Sequence, residues 1–307
     1  MSVVTALAVF TAFIVGLLLL DLTLFRRGSA PTSIRAATLW SGFYVLLALA
    51  FSLGIYLWRG PEAWIEFLTG YFLEQSLSLD NLFVFVLIFG NWSVKPEFHH
   101  RILFWGILGA LATRAALVAA GLGMLAYFAW AMEVMGAFLV FSGARMAIQK
   151  PAVVNPESNL LLRFVRRVFP VTASFEGGAF FLTREGRRFA TPLFLVLVLV
   201  ESADVVFAMD SIPAIFGVTR DPFIVYTATC FGMLGLRALY SVVSQAVARF
   251  QYFRHGIAVL LMFVGAKMLL TRFVHIPVLA SLIVILVVVG ASVILSLAKA
   301  ARKGTPA

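Results

Sequence analysis

Two stretches of this chain put carboxylates inside runs that are otherwise apolar. EQSLSLDN, from Glu74 to Asn81, and DVVFAMDS, from Asp204 to Ser211, each read acid, five residues, Asp, then a short polar residue. Glu201 stands three residues before Asp204, and Glu66 lies earlier in the first run. A charge at mid-bilayer costs about 2.5–3.5 kcal/mol even on the lenient insertion scale, so acids at matched positions need a compensating function such as a bound cation or proton traffic. The donors are all oxygens: Glu74, Asp80, Asn81, Glu201, Asp204, Asp210 and Ser211 offer carboxylates, an amide and a hydroxyl. Such a set suits Mg²⁺, Ca²⁺ or Mn²⁺, whereas copper or zinc calls for thiolate, thioether or imidazole. His99, His100, His255 and His275 are expected in loops or at a span entrance, and Met209 and Met268 in packing roles.

Helical spacing says how these groups can meet. Glu74 and Asn81 are seven apart and share a helix face, as do Asp204 and Ser211, while Glu201 and Asp204 are neighbours at i, i+3. Asp80 and Asp210 fall about 100° off those faces on an ideal helix. A continuous helix divides the donors between faces, and a local break lets them converge. Both carrier spans exceed the roughly 30 Å hydrocarbon core, so tilt, kink or interruption is expected, and Pro213 favours a kink after Asp210. Arg114 and Arg237 sit near the middle of two other spans, as charge partners for the acids when no cation is present.

The elements that must position these residues are membrane helices. Hydrophobic residues make up 62% of the 307 positions and charged residues 12%, which excludes a water-soluble fold. The fold class is an all-α polytopic membrane protein with nine candidate spans: 3–25, 36–58, 62–90, 102–123, 131–148, 190–218, 223–247, 256–270 and 278–298. With the N-terminus outside, 18 of the 24 Lys and Arg fall on the cytoplasmic side and only Arg59, Arg220 and Arg272 outside, so the positive-inside rule selects N-out, C-in. The net charge of +10 thereby reports orientation, and nucleic acid is not an expected partner. One cysteine, Cys230, leaves no disulfide framework.

The domain plan is two N-terminal helices (1–61), a three-helix unit with the first acidic motif (62–148), a basic cytoplasmic linker (149–189), a second three-helix unit (190–271), and a last helix with a basic tail (272–307). An internal repeat relates the two units. GARM at Gly143 matches GAKM at Gly265, and Arg114 in GALATRAAL matches Arg237 in GMLGLRALY, with separations of 31 and 30 residues to Arg145 and Lys267. Three spans per copy force opposite orientations, the inverted-repeat plan of secondary transporters.

At EQSLSLDNLFV (Glu74 to Val84), VESADVVFAMDSIPAIF (Val200 to Phe216), DPFIV and LGLRALY the sequence resembles the TerC/Alx family of integral membrane proteins, within the LysE-like transporter superfamily. The resemblance runs from the second span to the ninth. It implies manganese export across the bacterial cytoplasmic membrane and an association with tellurium resistance, and it links nearby members to alkaline conditions. By motif match Glu74, Asp80, Asn81, Asp204, Asp210 and Ser211 inherit the transport role.

The expectation is therefore a secondary exporter of a divalent cation, Mn²⁺ first, with protons as a possible coupling ion, no cofactor and no enzymatic activity. A membrane scaffold in metal or tellurium stress is the alternative. An intramembrane aspartyl protease lacks its Gly-x-Gly-Asp signature here, and no P-loop supports ATP-driven transport. Oligomeric state is left open.

Overall fold

The computed structural model describes residues 3–25, 34–128, 130–148, 159–172, 175, 178–184, 186–246, 252–271, 273–274 and 276–302. Within them the side chains of Asp80 and Arg237 are not described, and His275 lies outside. Among the described residues eleven helices and one hairpin follow in chain order: α1 (Val3–Phe25), α2 (Ile34–Arg59), α3 (Pro61–Asn91), α4 (Pro96–Tyr127), α5 (Ala131–Ile148), α6 (Leu160–Val168), β1 (Phe181–Arg184), β2 (Arg187–Ala190), α7 (Pro192–Phe216), α8 (Pro222–Leu234), α9 (Leu236–Ala246), α10 (Phe253–Leu270) and α11 (Val278–Arg302).

Seven of these, α2 to α5, α7, α10 and α11, are long and apolar enough to cross a membrane; α1 and α8 are apolar but shorter over the stretch that counts. The expected seventh span, 223–247, is corrected to two helices that meet at Gly235. Glycine is a weak helix former, and α9 turns polar with Ser241, Ser244 and Gln245, so no single apolar cylinder continues through it. Residues 149–189 hold α6 and most of the antiparallel hairpin, with Phe181 opposite Ala190 and Arg184 opposite Arg187.

Local signals explain the boundaries. Gly60 at φ 89° turns the chain between α2 and α3, a conformation glycine adopts without a Cβ penalty. Pro61, Pro96, Pro192 and Pro222 open α3, α4, α7 and α8, where a missing N–H leaves no bond unmade. Asp221 caps α8 by accepting from the Phe223 and Ile224 amides. Every residue of α8 from Phe223 to Leu234 is buried, as an all-apolar helix must be when other helices surround it. α1 covers it through Phe10, which meets Phe223, Tyr226 and Phe231 edge-on or tilted.

The main packing pairs are α5 with α10, α3 with α8, α4 with α7, α3 with α11 and α3 with α7. The α5–α10 contact is built on small residues that let backbones approach. A Cβ at Gly143 would come within 2.7 Å of the Ala258 carbonyl, and one at Gly265 within 2.6 Å of the Gly136 carbonyl. Met268 packs there and against Gly217, whereas Met209 is exposed rather than a packing residue. His99 is also corrected: it lies in the first turn of α4, not in a loop, seated between Phe89 and Tyr240, with its Nε2 2.9 Å from the Val94 carbonyl oxygen.

Candidate transport site

Three helices place the central charges. α3 carries Glu74, α4 carries Arg114 and α7 carries Asp204 and Ser211, and both acidic helices run unbroken through their motifs, α7 with Pro213 inside it. Of the tilt, kink or interruption expected, neither helix shows an interruption within its motif. The donors stay divided between faces, as regular 3.6-residue turns require.

Arg114 is fully buried and gathers one acid from each half of the chain. Its Nη1 donates to Glu74 Oε1 and, at 3.3 Å, to Ser211 Oγ. Its Nη2 donates to Asp204 Oδ1 at 3.2 Å and its Nε reaches Asp204 Oδ2 at 3.5 Å, the two-pronged arrangement that suits a guanidinium. Asp204 and Ser211, seven residues apart, thus share the face predicted for them. Ser78, one turn after Glu74, donates to the same Oε1 at 3.4 Å, and Glu74 Oε2 is buried with no hydrogen-bond partner. With all three groups ionised the cluster carries one net negative charge, in a setting where an uncompensated ion is expensive.

The other predicted residues go elsewhere. Asn81 is buried. Glu201 lies beside Asp204 and seats on Gly109 of α4, where an added Cβ would strike its carboxylate. Asp210 turns toward α5, where Ser142 hydrogen-bonds it, and its Oδ1 is buried without a hydrogen-bond partner. Glu66 accepts from Thr219 Oγ1 at 2.7 Å, near the Arg59–Asp221 ion pair. The Asp80 and Arg237 side chains lie outside the described residues, so their expected roles meet no geometry here. Among the described residues no three His, Cys, Asp or Glu side chains are close enough to hold a metal ion. In this arrangement Arg114 fills the space between Glu74 and Asp204.

Sequence reasoning missed four contributors. Ser78 was visible in principle, at i+4 from Glu74. Ser142, Gly109 and Gly232 were not, because their relevance comes from the neighbouring helix. A Cβ at Gly232 would fall 2.5 Å from Glu74 Cγ, so α8 makes room for Glu74 as α4 does for Glu201.

Comparison with known proteins places this chain in a family. Residues 59–304 match the model described as "Integral membrane protein TerC family". An "Uncharacterized membrane protein STKORF319" of Myxococcus xanthus is 45% identical over 96% of this chain and 93% of its own length. Proteins named "Putative membrane-bound redox modulator Alx" are 41% identical in Salmonella typhi, over 89% of this chain and 88% of that one, and 40% identical in Escherichia coli K12, over 84% and 83%. No solved structure matches. With the family model covering most of its length, the chain belongs to the TerC family of integral membrane proteins.

Proposed function

We propose that the protein is a secondary transporter that exports a divalent cation, Mn²⁺ first among candidates, from the bacterial cytoplasm through the Glu74–Asp204 site by alternating access. One observation carries the reading: the first acids of the two matched motifs, far apart in sequence, converge on one buried cation, Arg114. Carboxylates brought to a shared interior point from two matched helices are what an oxygen-coordinated cargo needs. Arg114 then acts as a tethered counter-ion that keeps both acids compensated when no cation is bound. Metal loading requires it to withdraw, with Ser78 and Ser211 close by as neutral oxygen donors, and protonation of Glu74 or Glu201 would couple release to inward proton flow.

Inverted repeats with nine crossings, N-terminus outside, belong to this proposal, and the packing supports them. Ala258 stands seven residues before Gly265 and Gly136 seven before Gly143, so Gly143 on Ala258 and Gly265 on Gly136 are reciprocal contacts of one two-fold pattern. Exchanging the copies also turns the α3–α8 packing into α7–α4, and both occur. Gly109 and Gly232, matched in GALATRAAL and GMLGLRALY, each seat an acid of the opposite copy.

The redox role in the name of the Alx relatives finds no dithiol in this chain. Its one cysteine, Cys230, is buried beside Tyr226.

The test is manganese retained by a metal-loaded, exporter-deficient bacterium expressing the wild type, Glu74→Gln, Asp204→Asn, or the Asp80→Asn, Asp210→Asn double variant at equal membrane abundance. Wild type lowers cell manganese and the variants do not. Unchanged manganese with wild type removes the substrate assignment, and full export by every variant removes the site.

A further inference from the structure

The segment before α7 carries a feature that cation transport does not use. α6 reads LLLRFVRRV, and its faces separate cleanly. Asn159 caps it by accepting from the Leu162 amide at 2.9 Å, and Leu162 is buried with Val165 half-buried, so this side faces the protein. Leu160, Leu161, Phe164 and Val168 are 76%, 51%, 64% and 50% exposed, and on a regular helix they fall within about 100° of arc. Arg163, Arg166 and Arg167 take the remaining, exposed side. Four large apolar residues pointing away from the protein on a helix edged by arginine is the pattern of a helix lying in a membrane interface.

Position in the fold agrees with that pattern. α6 packs on α7, and the hairpin is tied to the start of that helix: Phe181 meets Phe169 edge-on and, tilted at 4.4 Å between centroids, Phe194 of α7, while Thr191 Oγ1 donates to the Ala179 carbonyl at 2.7 Å. α7 is a candidate span that begins at Pro192, and the hairpin leads directly into that start. The charge is one-sided as well. Residues 159–190 hold Arg163, Arg166, Arg167, Arg184, Arg187 and Arg188 against Glu176 and Glu185, a net +4.

We infer that α6, with the adjoining β1–β2 hairpin, docks on the anionic headgroup surface of the bilayer that holds the protein, its Leu160, Leu161, Phe164 and Val168 face entering the acyl boundary and its arginines binding lipid phosphates. Each basic residue at an anionic surface strengthens such binding by about fivefold. A second copy of the chain fits less well, since a two-fold contact would set this arginine cluster against itself and a nine-residue helix offers little of the area a stable protein interface buries. Because α6 rests on the helix that carries Asp204 and Ser211, the docking also ties the cytoplasmic-facing end of α7 to the lipid.

Full-length protein in nanodiscs tests this, with a nitroxide at Phe164→Cys or Arg166→Cys and the unlabelled wild type controlling for buried Cys230. In phosphatidylcholine containing phosphatidylglycerol, the label at 164 is open to dissolved oxygen and shielded from a water-soluble nickel chelate, and the label at 166 shows the reverse preference. Adding Arg163→Gln and Arg167→Gln, or removing phosphatidylglycerol, weakens the oxygen preference at 164 while the thermal unfolding midpoint holds. Chelate access at 164 in every lipid overturns the proposal in favour of a solvated helix. Shielding from both reagents overturns it in favour of a protein partner, a second copy included. The readout needs no transport, so it stands or fails separately from the manganese reading.

Discussion

Glu74 seats on Gly232 of α8 and Glu201 seats on Gly109 of α4, and the two glycines occupy matched places in the internal repeat, yet the two acids are held differently. Glu74 is fully buried, takes hydrogen bonds from Arg114 and Ser78, and is walled by α8. Glu201 is half-buried, with Asp204 as its charged neighbour and no hydrogen-bond partner among the described residues. A scaffold of matched parts therefore carries an unequal load, one acid locked and the other loose. The two acids are not themselves matched, since Glu74 pairs with Asp204 in the two motifs, so on the transport reading proposed above the contact that has to open is the hold of Arg114 on Glu74 and Asp204.

The largest effect is expected from removing the lock. Arg114→Met leaves Glu74 and Asp204 facing each other without a cation, and stripping one partner from a buried pair costs about 3–5 kcal/mol. The expected outcome is a large fall in membrane abundance and in the unfolding midpoint of detergent-purified protein. Adding Glu74→Gln and Asp204→Asn to Arg114→Met removes the stranded charges and restores most of that loss. If Arg114→Met alone is as stable as wild type, the cluster is not the compensated ion network described here.

The second effect tests the walls. At Gly232 an added methyl meets Glu74 Cγ and Cβ at 2.5 and 3.0 Å, close to the α3 backbone and unable to swing aside. Gly232→Ala should cost about 1–3 kcal/mol, the usual penalty of overpacking. At Gly109 the methyl meets only the carboxylate end of Glu201, which a rotamer change can move. There the gain of about 1 kcal/mol from replacing glycine by alanine in a helix offsets the displacement, and Gly109→Ala should unfold close to wild type. Equal losses from the two substitutions would show that Glu201 is as firmly held as Glu74.

Much of this was legible in the residues alone. Acids and an arginine inside apolar runs marked the centre, because a charge persists at bilayer depth only where a partner or a cargo compensates it, and the seven-residue spacing of Asp204 and Ser211 correctly gave their common face. What stayed hidden was set by contacts between helices. Nothing local says that Arg114 takes Glu74 and Asp204 while Asp210 turns to Ser142, since that depends on where α4 and α5 lie around α7. The break at Gly235 was obscured by the apolar residues on both sides of it, and of the tilt, kink or interruption expected of α3 and α7 no interruption occurs within the motifs, so Glu74 and Asp204 meet through Arg114 while Asp210 goes to Ser142. α6 and the hairpin had short-range signals, the Asn159 cap and the alternation in FLTREGRRFA, but a strong basic composition made the region read as linker.

The smallest effect on stability, and the one that separates holding the fold from moving the cargo, is expected at Glu201. Its carboxylate forms no hydrogen bond among the described residues, so Glu201→Gln removes a charge without leaving a partner stranded, unlike Glu74→Gln or any change at Arg114. Substitutions outside such networks usually stay within about 0.5 kcal/mol, and the amide also relieves repulsion with Asp204. The unfolding midpoint should therefore hold or rise slightly. Export should fall all the same, because the loose acid beside the locked pair is the group free to take a proton or a cation first. Loss of manganese export at unchanged stability would place Glu201 on the transport route, and full export by Glu201→Gln would reduce it to a spacer on Gly109.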